Sequence, residues 1–305
     1  MAQRDETVTV EGKEIRITKP DTVIWPIPQI TKLDYVKYAI DVSPYLLPYT
    51  KDRMLNLWRY PEGVGGKRIE ERSVSGITLP EWLQTVEYNG KKRVLLNDAA
   101  TLAWAANRYG LEIHVPFDTY FKKDYPTMLV FDLDPSDADN FDLVREIALE
   151  TRDVLQSLGF FSVAKTSGGT GLQIYVPVIN RYTFEETRMI NTFIADYLFQ
   201  RMPGKITLER VVGRRGQKLY FDYLQLWKGR TMIAPYAVRA RDHATVSAPV
   251  TWDEVERGFL PADFTLLNMR ERIARLGDLF APITTESHKY NQSLDEMIGF
   301  IRTHA

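Results

Sequence analysis

The sequence predicts an α/β (α+β) fold: a mainly antiparallel central sheet flanked by helices, with an N-terminal module packed on it. Three observations lead there. The apolar run at residues 127–131 reads as a buried strand that ends in Asp132-Leu133-Asp134-Pro135-Ser136. Phe141, Val144, Ile147, Thr151, Val154 and Leu158 recur every three or four residues up to Gly159, a helix with one apolar face. Two further strand signals, at 160–164 and 172–177, are joined by a glycine-rich turn, so the order after residue 126 is strand, helix, strand, hairpin.

The elements before this core are shorter. Residues 7–18 alternate as a hairpin about Gly12, followed by a loop through Pro20 and Pro26. Thr31 is placed to cap a helix that runs to Pro44, and residues 54–60 form a strand. Gly63-Val64-Gly65-Gly66-Lys67-Arg68 lacks the Gly-Lys-Ser/Thr ending of a P-loop and reads as a flexible basic loop. A strand at 91–96, a helix capped by Asn97 or Asp98 and stopped by Gly110, and a short strand at 113–116 complete this part. Later, Thr183 and Glu186 form a capping box for a helix to about Met202. A strand at 219–224 follows, 237–241 is a strand with Arg239 and Arg241 on one face, and helices occupy 264–277 and 291–302. With no internal repeat or low-complexity linker, the expectation is one domain over 1–305, with approximate lobes at 1–110 and 111–305.

Composition narrows the chemistry. The 305 residues contain no cysteine, which excludes disulfides, thiolate nucleophiles and cysteine zinc sites. The four histidines, His114, His243, His288 and His304, have no metal-ligand spacing. The polar N-terminus and the lack of a membrane-length apolar stretch point to a cytoplasmic protein without a membrane partner. A net charge of −1 excludes a uniformly basic nucleic-acid binder but not a local basic groove.

The functional candidates cluster in the core. On a strand, Asp132 and Asp134 project to one side, where two like charges raise a pKa unless a cation neutralises them. Hard oxygen donors suit Mg²⁺ or Mn²⁺; the plain alternative is an Asp-rich turn capping the next helix. Asp222 lies in the apolar strand 219–224, where a carboxylate needs a partner or a metal. In Lys165-Thr166-Ser167-Gly168-Gly169-Thr170-Gly171, the glycines permit close backbone approach to an anion, with Lys165 and Ser167 adding a charge and a hydroxyl. Its alternative is a structural hairpin turn. Arg215, Arg239 and Arg241 supply forked donors for phosphate. These parts suit metal-assisted nucleotidyl transfer, with metals bridged by Asp132 and Asp134 and completed by Asp222. A nuclease would use the same carboxylates, and a catalytically quiet DNA-end-binding module is a third reading. His114 by itself fits a core residue or a ligand contact equally.

Phe131-Asp132-Leu133-Asp134-Pro135, the Lys165–Leu172 segment, Phe221-Asp222-Tyr223-Leu224-Gln225 and Tyr236-Ala237-Val238-Arg239-Ala240-Arg241 together carry a resemblance. From about residue 12 to 300 the chain resembles the polymerase domain of bacterial ligase D, in the archaeo-eukaryotic primase superfamily. The resemblance implies a primase-like catalytic core and a template-dependent polymerase that extends a primer 3′-OH, often with ribonucleotides, with Mn²⁺ favoured over Mg²⁺. It implies a place in bacterial non-homologous end joining at gapped or broken, 5′-phosphorylated DNA in the nucleoid, with Ku and a DNA ligase as partners. Asp132, Asp134 and Asp222 match the metal ligands. His114, Ser167, Arg215, Arg239 and Arg241 match nucleotide contacts, with Lys165, Gly168, Gly169 and Gln173 in the same motif. Gln173 departs from the family's usual histidine. Lys32 and Arg59 match the 5′-phosphate site. Thr22 and Ile69-Glu70 depart from the family's basic and aromatic positions, for which Lys19, Lys67, Arg68 and Arg72 could compensate. No Lys-X-Asp-Gly ligase signature occurs in the sequence.

Overall fold

The computed structural model describes residues 5–284 and 290–304; His288 lies outside them. The mainly antiparallel central sheet is present. Its strands are ordered Ile206–Thr207, Leu219–Asp222, Met128–Pro135, Leu172–Pro177, Val163–Thr166 and Pro249–Val250. All neighbours are antiparallel except the first pair, which is parallel. Contacts divide the chain into two interleaved units. One holds the residues up to Pro116 with Thr231–Ser247 and Phe264–Asp278; the other holds Phe117–Arg230, Ala248–Asp263 and the residues from Leu279 on.

The second unit contains the six-stranded sheet. Met128, Leu129, Val130, Phe131 and Leu133 are fully buried, as expected for a strand covered on both faces. The strand carries the Asp pair at its end, where Leu219–Asp222 pairs with residues 132–135, and it stops after Pro135 as the Pro-Ser turn predicts. The helix Phe141–Ser157, capped by Asn140, buries the predicted stripe from Phe141 to Val154; Leu158, expected to end the stripe, is the C-cap and is exposed. The helix Phe184–Arg201 has its Thr183/Glu186 capping box, and Asn191 Nδ2 donates to the strand carbonyl of Val130 at 2.9 Å.

The first unit has a four-stranded sheet ordered Thr231–Ile233, Gly110–Pro116, Asn56–Arg59 and Ile69–Glu71. The helix capped by Thr31 runs through Pro44 and Pro48 to Thr50 rather than stopping at Pro44. A proline removes the N–H that would bond the carbonyl four residues back. Here Ser43 Oγ donates to Ile40 O at 2.7 Å and satisfies that acceptor. The helix Ala99–Asn107 ends before Tyr109, and Gly110 opens the next strand instead of closing the helix. A Cβ at Gly110 would overlap Leu57 and the Ala105 carbonyl. The strand expected over 237–241 is replaced by turns with a single bridge, Val238 to Val246. A hairpin partner at Thr85–Tyr88, unforeseen from the sequence, pairs with Lys91–Val94 across Asn89-Gly90, a strong turn dipeptide.

Candidate active site

In the second unit, strand register builds a row of four side chains. Asp222 faces Asp132, Asp132 faces Gln173, and Gln173 faces Lys165. Asp134, two residues on from Asp132, shares its face opposite Tyr220. Thus the three predicted carboxylates lie on one face of two adjacent strands.

Hydrogen bonds fix this row. Lys165 is buried, and its Nζ donates to Gln173 Oε1 at 2.5 Å; Tyr175 Oη donates to the same oxygen at 3.1 Å. A lysine ammonium has only donors, so the amide oxygen must face it. The amide nitrogen is thereby turned to Asp132 Oδ1, to which it donates at 3.1 Å. Asp222 Oδ1 accepts from Tyr220 Oη at 3.1 Å and from the Leu224 amide at 3.0 Å. Arg215 lies over the Tyr220 ring at 3.9 Å, with Nε on the Glu209 carbonyl and Nη2 on the Arg210 carbonyl.

The electrostatics favour a cation. Burial, then repulsion by Asp134 and Asp222, pushes the Asp132 carboxyl up to about 8 against the opposing effects of Gln173 and Lys165. Gly171 lies alongside; a Cβ there would overlap the Leu133 carbonyl oxygen. The all-oxygen donor set fits a hard divalent ion. Among the described residues, however, no group of three or more His, Asp or Glu side chains is placed to hold an ion as a ready cage. Mg²⁺ is commonly held by one or two carboxylates plus phosphates and water, and the Asp132–Asp134 pair matches that pattern.

In the glycine turn, Ser167 Oγ accepts from the Gly169 and Gly171 amides, each at 3.1 Å, and Ser167 N donates to Gly171 O at 2.9 Å. The hydroxyl therefore holds the turn closed, and two of the amides expected to face an anion point to it. Gly168 adopts φ +71°.

The remaining nucleotide candidates, His114, Arg239 and Arg241, belong to the first unit. His114 is buried and stacks on Trp58, with centroids 4.1 Å apart and planes at 23°. Its Nε2 and Arg239 Nη1 meet Glu112 Oε2 at 3.1 and 3.0 Å. Arg241 is exposed. Lys32 is wholly buried, its Nζ on the Thr18 carbonyl (2.6 Å) and hydroxyl (3.0 Å) and 4.4 Å over the Tyr109 ring. Lys19, next to Thr18, is exposed with φ +50°. Arg59 pairs with Glu71 at 3.0 Å, and Arg108 pairs with the same carboxylate at 2.6 Å. Lys67, Arg68 and Arg72 are exposed; Arg68 lies 4.1 Å over Trp58 and Arg72 pairs with Glu70.

Sequence reasoning missed Glu112, Trp58, Tyr175 and Tyr220. Glu112, Tyr175 and Tyr220 each lie two residues from a candidate on a strand, so strand periodicity carried the signal; Trp58 stands opposite Glu112, and only the register shows it. Glu112 was lost because its strand starts at Gly110 rather than at 113.

The family described as LigD, primase-polymerase domain, matches residues 31–280. The bifunctional non-homologous end joining protein LigD of Bacillus subtilis is 36% identical over 265 residues, covering 87% of this chain and 43% of that protein. The multifunctional LigD of Mycolicibacterium smegmatis is 31% identical over 286 residues, covering 90% of this chain and 37% of its own. The chain thus spans less than half the length of these curated relatives. Among solved structures, the polymerase domain of Mycobacterium tuberculosis ligase D in complex with DNA matches with a TM-score of 0.82 at 29% identity. It covers 89% of this chain and 98% of its own. No helix among the described residues is long and apolar enough to cross a membrane.

Proposed function

The chain belongs to the LigD primase-polymerase family, and on that premise we propose that it is a template-directed nucleotidyltransferase of bacterial end joining or gap-filling repair. It adds nucleotides, ribonucleotides among them, to a primer 3′-OH. The observation that carries this reading is the row Asp222, Asp132, Gln173 and Lys165, with Asp134 on the same face. A nuclease needs the carboxylates alone; here a buried lysine is committed through Gln173 to orienting Asp132, and Arg215 lies beside Tyr220 as a forked donor for phosphate.

Asp132, Asp134 and Asp222 would hold Mn²⁺ or Mg²⁺, which supplies charge neutralisation for the triphosphate and activation of the 3′-OH when bound. Gln173 fixes the orientation of Asp132, and Lys165 fixes Gln173. Tyr220 holds one oxygen of Asp222. Ser167, Arg215, His114, Arg239 and Arg241 contribute contacts to the incoming nucleotide. DNA is the macromolecular ligand, as in the M. tuberculosis relative's complex. Lys19 makes the 5′-phosphate contact, with buried Lys32 as the positive charge beneath it. Ku and a DNA ligase are the partners we assign.

The test is extension of a gapped, 5′-phosphorylated primer–template with ribo- and deoxyribonucleoside triphosphates and Mn²⁺ or Mg²⁺, beside Asp132→Ala. Metal-dependent extension that is lost in the variant, with DNA binding retained, supports the reading. Tight DNA binding without extension would make the chain an end-binding module. Shortened primers would make it a nuclease.

A further inference from the structure

We infer that Glu112 is a positioning residue for nucleotide binding: it sets which nitrogen of His114 carries the proton and turns the guanidinium of Arg239. The inference rests on the reading above that His114 and Arg239 contact the nucleotide.

The geometry begins with strand register in the first unit. Glu112 and His114 alternate on the strand Gly110–Pro116, and opposite them stand Trp58 and Asn56. All four side chains share one face. Glu112 is 4% exposed and His114 5%, so the carboxylate has almost no access to water and must be satisfied by protein donors.

It is satisfied completely. Oε2 receives His114 Nε2 at 3.1 Å and Arg239 Nη1 at 3.0 Å. Oε1 receives Tyr60 Oη and the Ala240 amide, each at 3.2 Å. Two donors on each oxygen match the acceptor capacity of an ionised carboxylate. Burial pushes the Glu112 carboxyl up, but the His114 bond, the Arg239 charge and the Ala240 amide prevail and hold it below the usual range. An ionised carboxylate only accepts, so His114 Nε2 must donate. Trp58, stacked on the ring, fixes its plane; Glu112 fixes its rotation and tautomer.

Arg239 carries a second sign. Its Nη1 is taken by Glu112, while its buried Nε has no hydrogen-bond partner among the described residues. Buried N–H groups without partners are rare. One held beside an anchored guanidinium arm is placed to receive an anionic ligand oxygen. Glu112 thus spends one arm of Arg239 to aim another. A carboxylate that served packing alone would not need to engage two nucleotide-contacting side chains through the same oxygen.

The test uses the full chain with Glu112→Gln, Glu112→Asp, His114→Ala and Arg239→Ala. Gln keeps the shape and the Oε1 acceptor but places an NH₂ against two donors. The nucleoside triphosphate KM in primer extension is expected to rise about tenfold with kcat changed less, as for lost uniform binding. The ¹⁵N resonances of His114, assigned by their loss in His114→Ala, should show the proton moved off Nε2. Glu112→Asp, which restores the charge, should recover part of the KM and the original tautomer. A folded Glu112→Gln with KM within about twofold of the parent, while His114→Ala and Arg239→Ala each raise it, overturns the positioning role and leaves the polymerase reading standing. If those two variants also leave KM unchanged, the nucleotide assignment fails and takes this inference with it. Should Glu112→Gln not fold, an unchanged KM in Glu112→Asp with an altered His114 spectrum overturns it equally.

Discussion

Replacing Gln173 by methionine keeps the length and volume of the side chain and removes both polar atoms. Gln173 is 3% exposed, and its oxygen accepts from the buried Lys165 ammonium at 2.5 Å and from Tyr175 at 3.1 Å. A hydrogen bond to a charged group contributes about 1.5–3 kcal/mol and a neutral one about 1 kcal/mol. Methionine recovers part of this through apolar burial, which leaves a net loss of about 2–3 kcal/mol. For a chain of this size that lowers Tm by roughly 3–5 °C. Asp132 also loses the amide that helps keep it ionised, so half-maximal extension should need more Mn²⁺. Thermal denaturation by circular dichroism and a Mn²⁺ titration of primer extension read the two effects separately. A Gln173→Met variant that melts within about 1 °C of the parent and keeps its Mn²⁺ dependence would refute the role given to the amide.

Three predictions concern pH. Asp132 has an ordinary carboxyl pKa of 3.8 when unfolded and is raised to about 8 when folded. Its contribution is full below the unfolded value and is lost as pH rises through the folded one. In EDTA, the Tm advantage of Asp132→Asn over the parent should therefore grow between pH 5 and pH 8; a flat difference would show that Asp132 ionises freely. Lys32 has the opposite sense: burial lowers it from 10.5 to about 8, with Lys19 assisting and Asp5 opposing. Its contribution is present above the unfolded value and is lost as pH falls through the folded one, so parent stability should rise relative to Lys32→Met between pH 8 and 10.5. The parent's preference for a 5′-phosphorylated gap should fall as pH passes 8, which gel-shift competition at pH 7 and 9 can measure; an unchanged preference places the phosphate away from Lys32.

Much of this was legible in the sequence because it is local. The Asp132–Asp134 alternation, the Thr183/Glu186 capping box and the periodic stripe of Phe141–Ser157 need only neighbours in the chain, and each is found in place. What escaped depends on distant partners. Pro44 is the exception, since the partner that keeps the helix going, Ser43 on Ile40, is local. Lys32 looks like a surface cation until Thr18 and Tyr109 enclose it. The same holds at the site. That Asp222 is a strand carboxylate could be read; that it faces Asp132, and that Gln173 ties Asp132 to Lys165, is set by the register of four strands. Glu112 is the clearest loss, since its significance lies wholly in four donors, two of them more than a hundred residues away.

The facing of Asp132 and Asp222 across neighbouring strands has a consequence for how such a chain changes over generations. Like charges directly opposite each other weaken a strand pair, and this pair is held instead by Leu133 facing Phe221 and by Leu219, all without solvent exposure. Neutral substitutions at either carboxylate would relieve the repulsion, so a population selected for heat resistance alone should discard these two residues among the first. A lineage that keeps both is therefore under continuing demand for what they do, and random mutagenesis scored once by stability and once by activity should move these two positions in opposite directions.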